Sequence, residues 1–453
     1  MKWTLFSLFL ITSIHATTIA DFFAIDPELD GAIIGVYIED AASGKEVLAH
    51  NSDLNLQLAS LTKLATGYVA IEKLGGAFRY QTTLEYSGVI DKKGGLQGDL
   101  IIRGGGDPTL ALDVIPEWGF AVKRKGIHAV SGRVIADASC FETLSTSPHW
   151  EYMDLGNYYA AGASGLSINQ NSYRVTFAPG SQIGEKAEVI KVDPVIPTLT
   201  ISNEMKTGPK GSGDHGYIYG SEYSPLQIYR GTIPSGVEEF SIRGAIPDPA
   251  RFTAETFSRH LQLANPAKVV RKKGGVQGAT EIISTKKSPP LKQIVREMLQ
   301  SSNNLYAEHL LKTLGNGESK RGLSIVKKTL ADLGVIVHLK DGCGAARTNI
   351  GSPKNMVGLI RAMRRAPELR EAVDALPELG ASGTLAVLDG INGARVFGKT
   401  GTMSGINNLA GYIVLQDGRS YNFCIMLNNF TCRPGTAKKE IRRFLQTFIE
   451  EVL

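Results

Sequence analysis

The sequence predicts an α+β protein in which a discontinuous domain, a five-stranded antiparallel sheet flanked by helices, is interrupted by a large, mostly β inserted region. Three observations predict it: strand patterns near both ends of the chain, apolar helices beside them, and a change of texture between residues 85 and 288. The 453 residues exceed one ordinary core, and 50 glycines favour turns and β-structure over a helical bundle. We assign residues 21–84 and 289–453 to the discontinuous domain.

The N-terminal part of this domain contains two strand patterns and one helix. Ala32–Glu39 is apolar enough for a buried strand, and a turn leads to a second strand at Glu46–His50. Ser60–Leu74 carries apolar residues around most of a helical circumference, which indicates a helix buried on several sides. The pair Gly75-Gly76 ends it.

The C-terminal part predicts a three-stranded meander and a last helix. Arg395–Thr402 and Leu409–Leu415 read as strands, and Asp417-Gly418 is a strong hairpin signal before a third strand at Ser420–Leu427. A helix follows from about Thr436. Together with the N-terminal hairpin, these strands would complete the five-stranded sheet.

The region 85–288 reads as an inserted accessory region, itself of two nested parts. Short β-like runs alternate there with glycine- and proline-rich turns. The string Gly104–Pro108 lacks the Gly-Lys-Ser/Thr ending of a phosphate loop, so we predict that Asp107-Pro108 begins a helix instead. Helical periodicity returns from Leu291.

The first twenty residues have the pattern of a secretory signal peptide. Lys2 precedes an apolar run, Trp3–Ile14, and small residues then place a cleavage site after Ala20. The alternatives are a membrane anchor, for which the run is short, and a buried first strand. We therefore expect an exported, periplasmic protein with at most peripheral membrane association.

Charge and composition exclude several classes of partner and cofactor. The formal charge of +5 is mild, and the one tight basic run, Arg271–Lys273, borders two glycines, so we expect no nucleic-acid partner. No CxxC or HExxH motif occurs and the eight histidines are scattered, so we expect neither a metal nor a cofactor. Of the four cysteines, Cys424 and Cys432 are the nearest pair, either bridged or packed as separate thiols.

The string Ser60-Leu-Thr-Lys63 supplies a nucleophile and a base. Residues three apart at a helix start share a face. A serine hydroxyl needs a base to become nucleophilic, and a lysine kept partly neutral by desolvation can serve. On its own the string has a plainer interpretation, in which Ser60 caps the helix and Lys63 is solvated.

Two further strings complete a constellation of polar groups. Ser302-Asn-Asn304 lies in a polar segment between helices, and Lys399-Thr-Gly401 ends a short strand. Each alone predicts little, since the first suits a helix cap and the second an edge-strand lysine. Because the three strings come from three elements of one predicted domain, we expect them to converge on one site. Their combination is known from serine β-lactamases and penicillin-binding proteins.

The resemblance becomes specific when further strings are included. The chain resembles the class C low-molecular-mass penicillin-binding proteins, the D-alanyl-D-alanine carboxypeptidase/endopeptidases related to penicillin-binding protein 4, over essentially the whole mature chain. That resemblance implies a β-lactamase/transpeptidase-like catalytic domain. The strings that carry it, besides the three motifs, are Gly98-Asp-Leu100, Gly105-Gly-Asp-Pro-Thr-Leu110, Asp154-Leu-Gly-Asn-Tyr-Tyr-Ala160, Ser164-Gly-Leu-Ser-Ile-Asn169, Leu305-Tyr-Ala-Glu308, Asp341-Gly-Cys-Gly344 and Gly383-Thr-Leu385.

The resemblance also implies a role for each matching residue. Ser60 would be the acyl-accepting nucleophile, Lys63 its general base, and Ser302 the relay that protonates the leaving D-alanine. Asn304 would bind the substrate amide and hold Lys63. Lys399 would lie near Ser302 and help to bind the terminal carboxylate, with Thr400, Gly401 and Thr402 as adjacent substrate-binding residues. The backbone N–H groups of Ser60 and Thr402 would form the oxyanion hole. Asp154 and Tyr159 would meet the free end of a diaminopimelate side chain.

The implied substrates are peptidoglycan stem peptides, and β-lactam antibiotics would acylate Ser60. Two departures from the family pattern remove no catalytic group: Leu58-Ala59 replaces Pro-Ala before the serine, and Cys343 replaces the serine of Asp-Gly-Ser-Gly. Two rival functions stay open on the residues alone. One is a serine β-lactamase, which the roughly 240 residues between Ser60 and Ser302 disfavour. The other is a catalytically silent peptidoglycan-binding protein, which the intact motifs disfavour.

Overall fold

The computed structural model describes Leu29 and residues 31–453. The predicted signal peptide, residues 1–20, lies outside the described residues. Among the described residues no helix combines the length and the apolar character needed to cross a membrane.

The described residues form a chain of short strands with helices between them. The strands are β1 Ile33–Asp40, β2 Glu46–His50, β3 Leu56–Gln57, β4 Gln81–Tyr86, β5 Val89–Ile90, β6 Gly95–Gln97, β7 Leu100–Arg103, β8 Ala129–Val130, β9 Val134–Asp137, β10 Ser172–Ala178, β11 Glu188–Asp193, β12 Thr200–Gly208, β13 His215–Tyr219, β14 Leu226–Pro234, β15 Phe240–Ala245, β16 Lys268–Val270, β17 Glu281–Lys287, β18 Val337–His338, β19 Ile350–Gly351, β20 Ala394–Met403, β21 Ile406–Leu415 and β22 Ser420–Asn428. The α-helices are α1 Thr62–Leu74, α2 Val114–Arg124, α3 Pro249–His260, α4 Leu291–Ser301, α5 Asn304–Leu314, α6 Ser319–Ala331, α7 Pro353–Arg365, α8 Arg370–Asp374 and α9 Pro434–Val452.

One five-stranded sheet joins the two ends of the chain. Its strand order is β2-β1-β22-β21-β20, and every neighbouring pair is antiparallel. β1 pairs along its whole length with β22, from Ile33 opposite Asn428 to Asp40 opposite Tyr421. The predicted α+β class and five-stranded antiparallel sheet are therefore confirmed.

Both faces of this sheet are buried, which explains its nearly continuous apolar strands. In β22, Phe423, Ile425 and Leu427 join the core on one face, whereas Cys424 and Met426 join the core on the other. α9 packs on the first of these faces and α7 on the second. The alternation follows the two-residue period of a strand.

Helix α1 lies at the centre of the hydrophobic core that α7 and the second face of the sheet share. A 3₁₀ turn, Ala59–Leu61, leads into it, and all residues from Thr62 to Ile71 are buried. Gly67 allows α4 to approach closely, because a Cβ there would lie 3.1 Å from side-chain atoms of Val295 and Met298. Ser60 is thus held on a rigid element between the sheet and the other helices.

The chain between β4 and β17 forms a region with its own core. A mixed sheet has the order β16-β9-β7-β4-β17, and two three-stranded sheets, β11-β10-β15 and β12-β14-β13, lie beyond it. One hydrophobic core contains side chains from all three sheets and from α2 and α3. Because β4 pairs with β17 where the chain enters and leaves this region, we propose residues 85–288 as an inserted accessory region.

The prediction that Asp107-Pro108 begins a helix is wrong. Asp107 Oδ1 instead accepts hydrogen bonds from the backbone N–H and the hydroxyl of Thr109, which closes a tight turn, and α2 begins only at Val114. A short polar residue before proline satisfies a local turn as readily as a helix start. Cys140, Cys343 and Cys424 are free thiols, and Cys424 is buried within β22.

Candidate active site

The segment before Ser60 is fixed by hydrogen bonds from the central sheet. Asn408 of β21 donates to the carbonyl oxygens of Gln57 and Leu58, at 2.7 and 3.1 Å. The next residue, Ala59, has φ of +47°, a backbone conformation that L-residues rarely adopt. The side-chain amide of Asn408 therefore stabilises the backbone just before the sharp turn at Ala59.

Glycines allow two other segments to approach this turn. A Cβ on Gly344 would lie 1.9 Å from the carbonyl oxygen of Ala59, and one on Gly401 would lie 2.6 Å from that of Leu58. Either contact is closer than atoms can tolerate. The loop around Gly344 and the strand β20 can therefore lie directly against the turn that carries Ser60.

Lys63 is buried and holds the nucleophile candidate. Its Nζ lies 2.8 Å from Ser60 Oγ, 2.6 Å from Asn304 Oδ1 and 2.7 Å from the carbonyl oxygen of Cys343. Desolvation lowers the pKa of Lys63 below its ordinary value, while Asp341 and Glu308 act in the opposite direction. A lysine with a lowered pKa, in contact with a serine hydroxyl, can accept that hydroxyl's proton.

Ser302 and Lys399 form a second hydroxyl–lysine pair. Lys399 Nζ donates to Ser302 Oγ at 2.9 Å and to the carbonyl oxygen of Thr400 at 2.7 Å. Burial lowers the pKa of Lys399 strongly, and the positive charge of Lys63 adds to this effect. The two buried lysines thus each hold one serine hydroxyl.

The backbone conformation of Ser302 ends helix α4 and sets the direction of the chain that follows. α4 ends at Ser301, and Ser302 has φ of +58° and ψ of +39°, the left-handed conformation of a helix end. Asn303 then caps α5, because its Oδ1 accepts a hydrogen bond from the N–H of Tyr306. This geometry directs Ser302 and Asn304 towards the same cleft.

Strand β20 forms one wall of the cleft. It is an edge strand of the central sheet, and its Thr402 lines the cleft together with Ser60. The hydroxyl of Thr400 lies 2.8 Å from that of Thr384, while Gly401 packs against the turn before Ser60. An edge strand leaves backbone groups free to pair with an extended peptide.

The accessory region contributes the opposite wall. Tyr159 hydroxyl donates to Asp154 Oδ1 at 3.0 Å, and the carbonyl oxygen of Tyr159 accepts from Asn304 Nδ2 at 2.7 Å. Burial raises the pKa of the Asp154 carboxyl. Asn304 therefore links Lys63 on one side to the accessory region on the other, and Asp154 and Tyr159 lie in the same cleft as Ser60.

Comparison with known proteins identifies the family. Residues 16–452 match the D-Ala-D-Ala carboxypeptidase 3 (S13) family. The chain belongs to this family. It is a D-Ala-D-Ala carboxypeptidase of the penicillin-binding protein 4-like group, which confirms the relationship inferred from the motifs.

Individual relatives agree with this assignment. The S13 carboxypeptidase is 28% identical over 422 residues to a D-alanyl-D-alanine carboxypeptidase from Actinomadura sp. (strain R39), covering 87% of this chain and 77% of that protein. Its fold is similar to the crystal structure of penicillin-binding protein 4 from Haemophilus influenzae, with a TM-score of 0.83, 20% identity and coverage of 97% and 99%. A second structure of that protein, in complex with a β-lactam, gives a TM-score of 0.77 at 20% identity with the same coverage.

The S13 carboxypeptidase also has a buried acidic cluster that the sequence analysis did not assign. Glu308 Oε1 accepts hydrogen bonds from the backbone N–H groups of Gly342 and Cys343, both at 2.8 Å. Burial, strengthened by Asp341, raises the pKa of Glu308 to about 7. Since Glu308 follows Asn304 by four residues on one helix, the spacing could have placed both on one face.

The acidic cluster has the ligand types of a metal site but a different arrangement of partners. The ligand atoms of Glu308, Asp341 and Cys343 lie within 4.8 Å of one another. Asp341 accepts hydrogen bonds from Trp150 Nε1, from Asn349 Nδ2 and from the backbone N–H of Gly344 and Ala346. These donors occupy the carboxylate lone pairs that a cation would need, so we assign the cluster to positioning of the loop that contacts Lys63.

Two arginines of the cleft were not found from the sequence. Arg347 pairs with Glu151 and donates to the carbonyl oxygen of Ser404. Arg243 lies at the accessory-region side of the cleft, where its guanidinium covers the ring of Tyr158 at 3.5 Å. No motif marks these residues, because their positions depend on how the accessory region packs against α5.

Proposed function

We propose that the protein hydrolyses the bond between the two D-alanines of peptidoglycan stem peptides, through an acyl-enzyme on Ser60, and that it reacts with β-lactams at the same serine. The observation that carries the proposal is the contact between Lys63 Nζ and Ser60 Oγ, 2.8 Å long, at a lysine that is 0% exposed. Membership of the S13 family supplies the substrate class.

Acylation begins when neutral Lys63 accepts the proton of the Ser60 hydroxyl as its oxygen attacks the carbonyl carbon of the penultimate D-alanine. The resulting oxyanion would accept hydrogen bonds from the backbone N–H groups of Ser60 and Thr402. Donors fixed before the reaction stabilise such a charge without reorganisation. Asn304 holds Lys63 and is available to the substrate amide.

Collapse of this intermediate requires a proton on the leaving amine. Ser302, held by Lys399, would give its proton to the nitrogen of the terminal D-alanine. The proton that Lys63 took from Ser60 would then pass to Ser302 and restore its hydroxyl. Lys399 and Thr400 would bind the terminal carboxylate, whose negative charge favours the protonated form of Lys399. Water then attacks the acyl-enzyme as Lys63 accepts its proton, the ester bond to Ser60 Oγ breaks, and Lys63 returns the proton to that oxygen.

Asp154 and Tyr159 supply the proposed contact with the third residue of the stem peptide. The Asp154 carboxylate is half-buried and accepts a hydrogen bond from the Tyr159 hydroxyl. A side chain ending in an ammonium group, as in diaminopimelate, would give this carboxylate a charged partner. The same cleft would admit a cross-linked peptide, so an endopeptidase activity belongs to the proposal.

Labelled penicillin gives a direct test of the acyl-enzyme. The wild-type protein should carry one label on Ser60, and Ser60→Ala should carry none. A Ser60→Ala variant that is labelled equally well would refute the proposal. Fast turnover of the drug would instead favour the β-lactamase alternative, and absence of labelling in a folded wild-type protein would favour a silent peptidoglycan-binding protein.

Incubation with purified muropeptides tests the substrate. Loss of one D-alanine from an uncross-linked pentapeptide, detected by mass, indicates carboxypeptidase activity, and separation of a cross-linked dimer indicates endopeptidase activity. Export to the periplasm also belongs to the proposal. It is tested by fractionation and by the N-terminus of the mature protein, which should begin at Asp21.

A further inference from the structure

Arg243 is a cation in the substrate cleft that has no anionic partner among the residues the structure describes. It lines the same cleft of about 710 Å³ as Ser60, on the side formed by the accessory region. Within the described residues, four of the other eight arginines of this region pair with carboxylates, namely Arg103, Arg230, Arg251 and Arg271, whereas no ion pair involves Arg243. The neighbouring cleft arginine, Arg347, is already paired with Glu151.

The guanidinium of Arg243 is held in position by an aromatic ring. Its central carbon lies 3.5 Å from the centroid of the Tyr158 ring. Stacking of this kind uses the face of the guanidinium and leaves the N–H groups at its edge available for a planar anion such as a carboxylate. The arginine is exposed, so those N–H groups are open to the solvent of the cleft.

A second arginine next to Arg243 makes the location more favourable for an anion. Arg174 of β10 lies directly opposite Arg243 of β15 in the antiparallel pairing. On its other side Arg174 lies opposite Asp193 of β11, whose carboxylate is paired with Lys191. Side chains directly opposite each other lie on the same face, and two like charges in that arrangement repel. A bound carboxylate would reduce this repulsion, whereas a bound cation would increase it.

A continuous set of contacts connects Arg243 to the catalytic residues. Asn304, which contacts Lys63, donates to the carbonyl oxygen of Tyr159. The rings of Tyr159 and Tyr158 are in edge contact at 5.5 Å, and Tyr158 carries Arg243. Asp154 is thus linked to Asn304 through Tyr159 alone, whereas Arg243 is linked to it through Tyr159 and Tyr158.

We propose that Arg243 and Tyr158 form an anionic subsite that binds a carboxylate of the stem peptide, N-terminal to the bond that is cleaved. This subsite rests on the proposed function, because it extends the same cleft. Two carboxylates of a stem peptide have the required chemistry: the free α-carboxylate of an isoglutamate at the second residue, and a carboxylate at the end of the third side chain.

Synthetic stem pentapeptides test the subsite in pairs. In one pair of peptides the α-carboxylate of the second residue is either free or converted to a carboxamide. In the other pair the carboxylate at the end of the third side chain is either free or converted to a carboxamide. Hydrolysis is measured as kcat/KM with the wild-type enzyme, with Arg243→Gln and with Arg321→Gln. Arg321 is an exposed arginine of α6 that does not line the cleft. Arg321→Gln therefore removes one positive charge, as Arg243→Gln does, without changing the cleft.

We expect the wild-type enzyme to prefer the free acid by about tenfold in one of the two pairs, the size of one charge-assisted hydrogen-bonded contact. Arg243→Gln should reduce that preference to near unity, mainly through KM, and Arg321→Gln should keep it. The pair that responds identifies the carboxylate. A wild-type enzyme without preference in either pair, or a preference that survives in Arg243→Gln, would overturn the subsite.

The two proposals fail in different ways. Cleavage of the carboxamide peptides together with penicillin labelling of Ser60 would uphold the proposed function even when the acid preference is absent. Failure to cleave any of the four peptides, with no labelling of Ser60, would refute the proposed function and the subsite with it.

Discussion

Lys63 and Asn304 are 241 residues apart in the chain, and their side chains are joined by a hydrogen bond of 2.6 Å. Asn304 also donates to the carbonyl oxygen of Tyr159, in the accessory region. One amide side chain thus contacts Lys63, the proposed general base, through its oxygen and the accessory-region wall of the cleft through its nitrogen. Replacement of Asn304 should consequently affect both acylation and the position of the accessory region.

The pKa of Lys63 predicts how acylation depends on pH. Desolvation lowers this pKa, and only the neutral amine can accept the Ser60 proton. The rate of acylation by a β-lactam should therefore rise with pH and level off below the ordinary lysine pKa of 10.5. The measurement is a series of acylation rates across pH, with Lys63→Arg as the control that stays protonated and should remain slow throughout. A rate in wild type that does not change with pH would contradict the role of Lys63.

The carboxyl group of Glu308 should affect the pKa of Lys63. Glu308 is one of the groups that raise the pKa of Lys63, so Glu308→Gln should shift the rising limb of the acylation profile to lower pH. The Gln oxygen can still accept the two backbone N–H bonds of Gly342 and Cys343. Glu308→Ala removes that acceptor and leaves two buried donors unpaired, at about 1–3 kcal/mol each. It should therefore be both slower and less stable than Glu308→Gln, and equal behaviour of the two variants would argue against a positioning role.

Glu308 also predicts a pH dependence of stability. Its pKa is about 7 in the folded protein, against an ordinary value of 4.5, so the folded state binds this proton more tightly. The free energy of unfolding should then decrease as pH rises from about 4.5 to about 7, by up to about 3 kcal/mol. Thermal unfolding at several pH values should show that this decrease is smaller in Glu308→Gln. An unchanged slope in the variant would mean that another group causes it.

Two substitutions at Ser302 separate its backbone from its hydroxyl. Both Ser302→Ala and Ser302→Gly remove the oxygen that accepts from Lys399, so both should lose most peptide hydrolysis. Glycine adopts a φ of +58° without strain, so the glycine variant should be more stable than the alanine variant by about 0.5–1 kcal/mol. Activity assays and thermal melts of the two variants test this. Retained hydrolysis in either would remove Ser302 from the proposed proton relay.

Asp154 should select substrates by the charge of the third side chain. In Asp154→Asn the amide oxygen can still accept from the Tyr159 hydroxyl, so the substitution removes charge while keeping this contact. We expect kcat/KM to fall about tenfold for a peptide with a free terminal ammonium group and to change little for its acetylated counterpart. An equal loss on both peptides would indicate a structural effect instead.

Much of the fold was predictable because its signals are local. Apolar runs marked all five strands of the central sheet, and the three-residue spacing of Ser60 and Lys63 placed them on one face. β21 was predicted to begin at Leu409 but begins at Ile406. Asn407 and Asn408 interrupt the apolar pattern there, yet both are buried. Asn407 donates a hydrogen bond to the carbonyl oxygen of Pro434 at the start of α9, and Asn408 donates one to that of Gln57 in β3. A polar residue at such a position cannot be recognised before its distant partner is known.

The sequence by itself determined the family, the order of the elements and the chemical types in the three motifs, since each of these depends on residues close together in the chain. The tertiary structure alone decided that the carbonyl oxygen of Cys343 contacts Lys63, that Glu308 holds that loop, and that Arg243 lies in the cleft. These contacts join segments far apart in sequence. Backbone carbonyls and unpaired arginines carry no motif, so their roles follow only from the packing of the accessory region and the helices around Ser60.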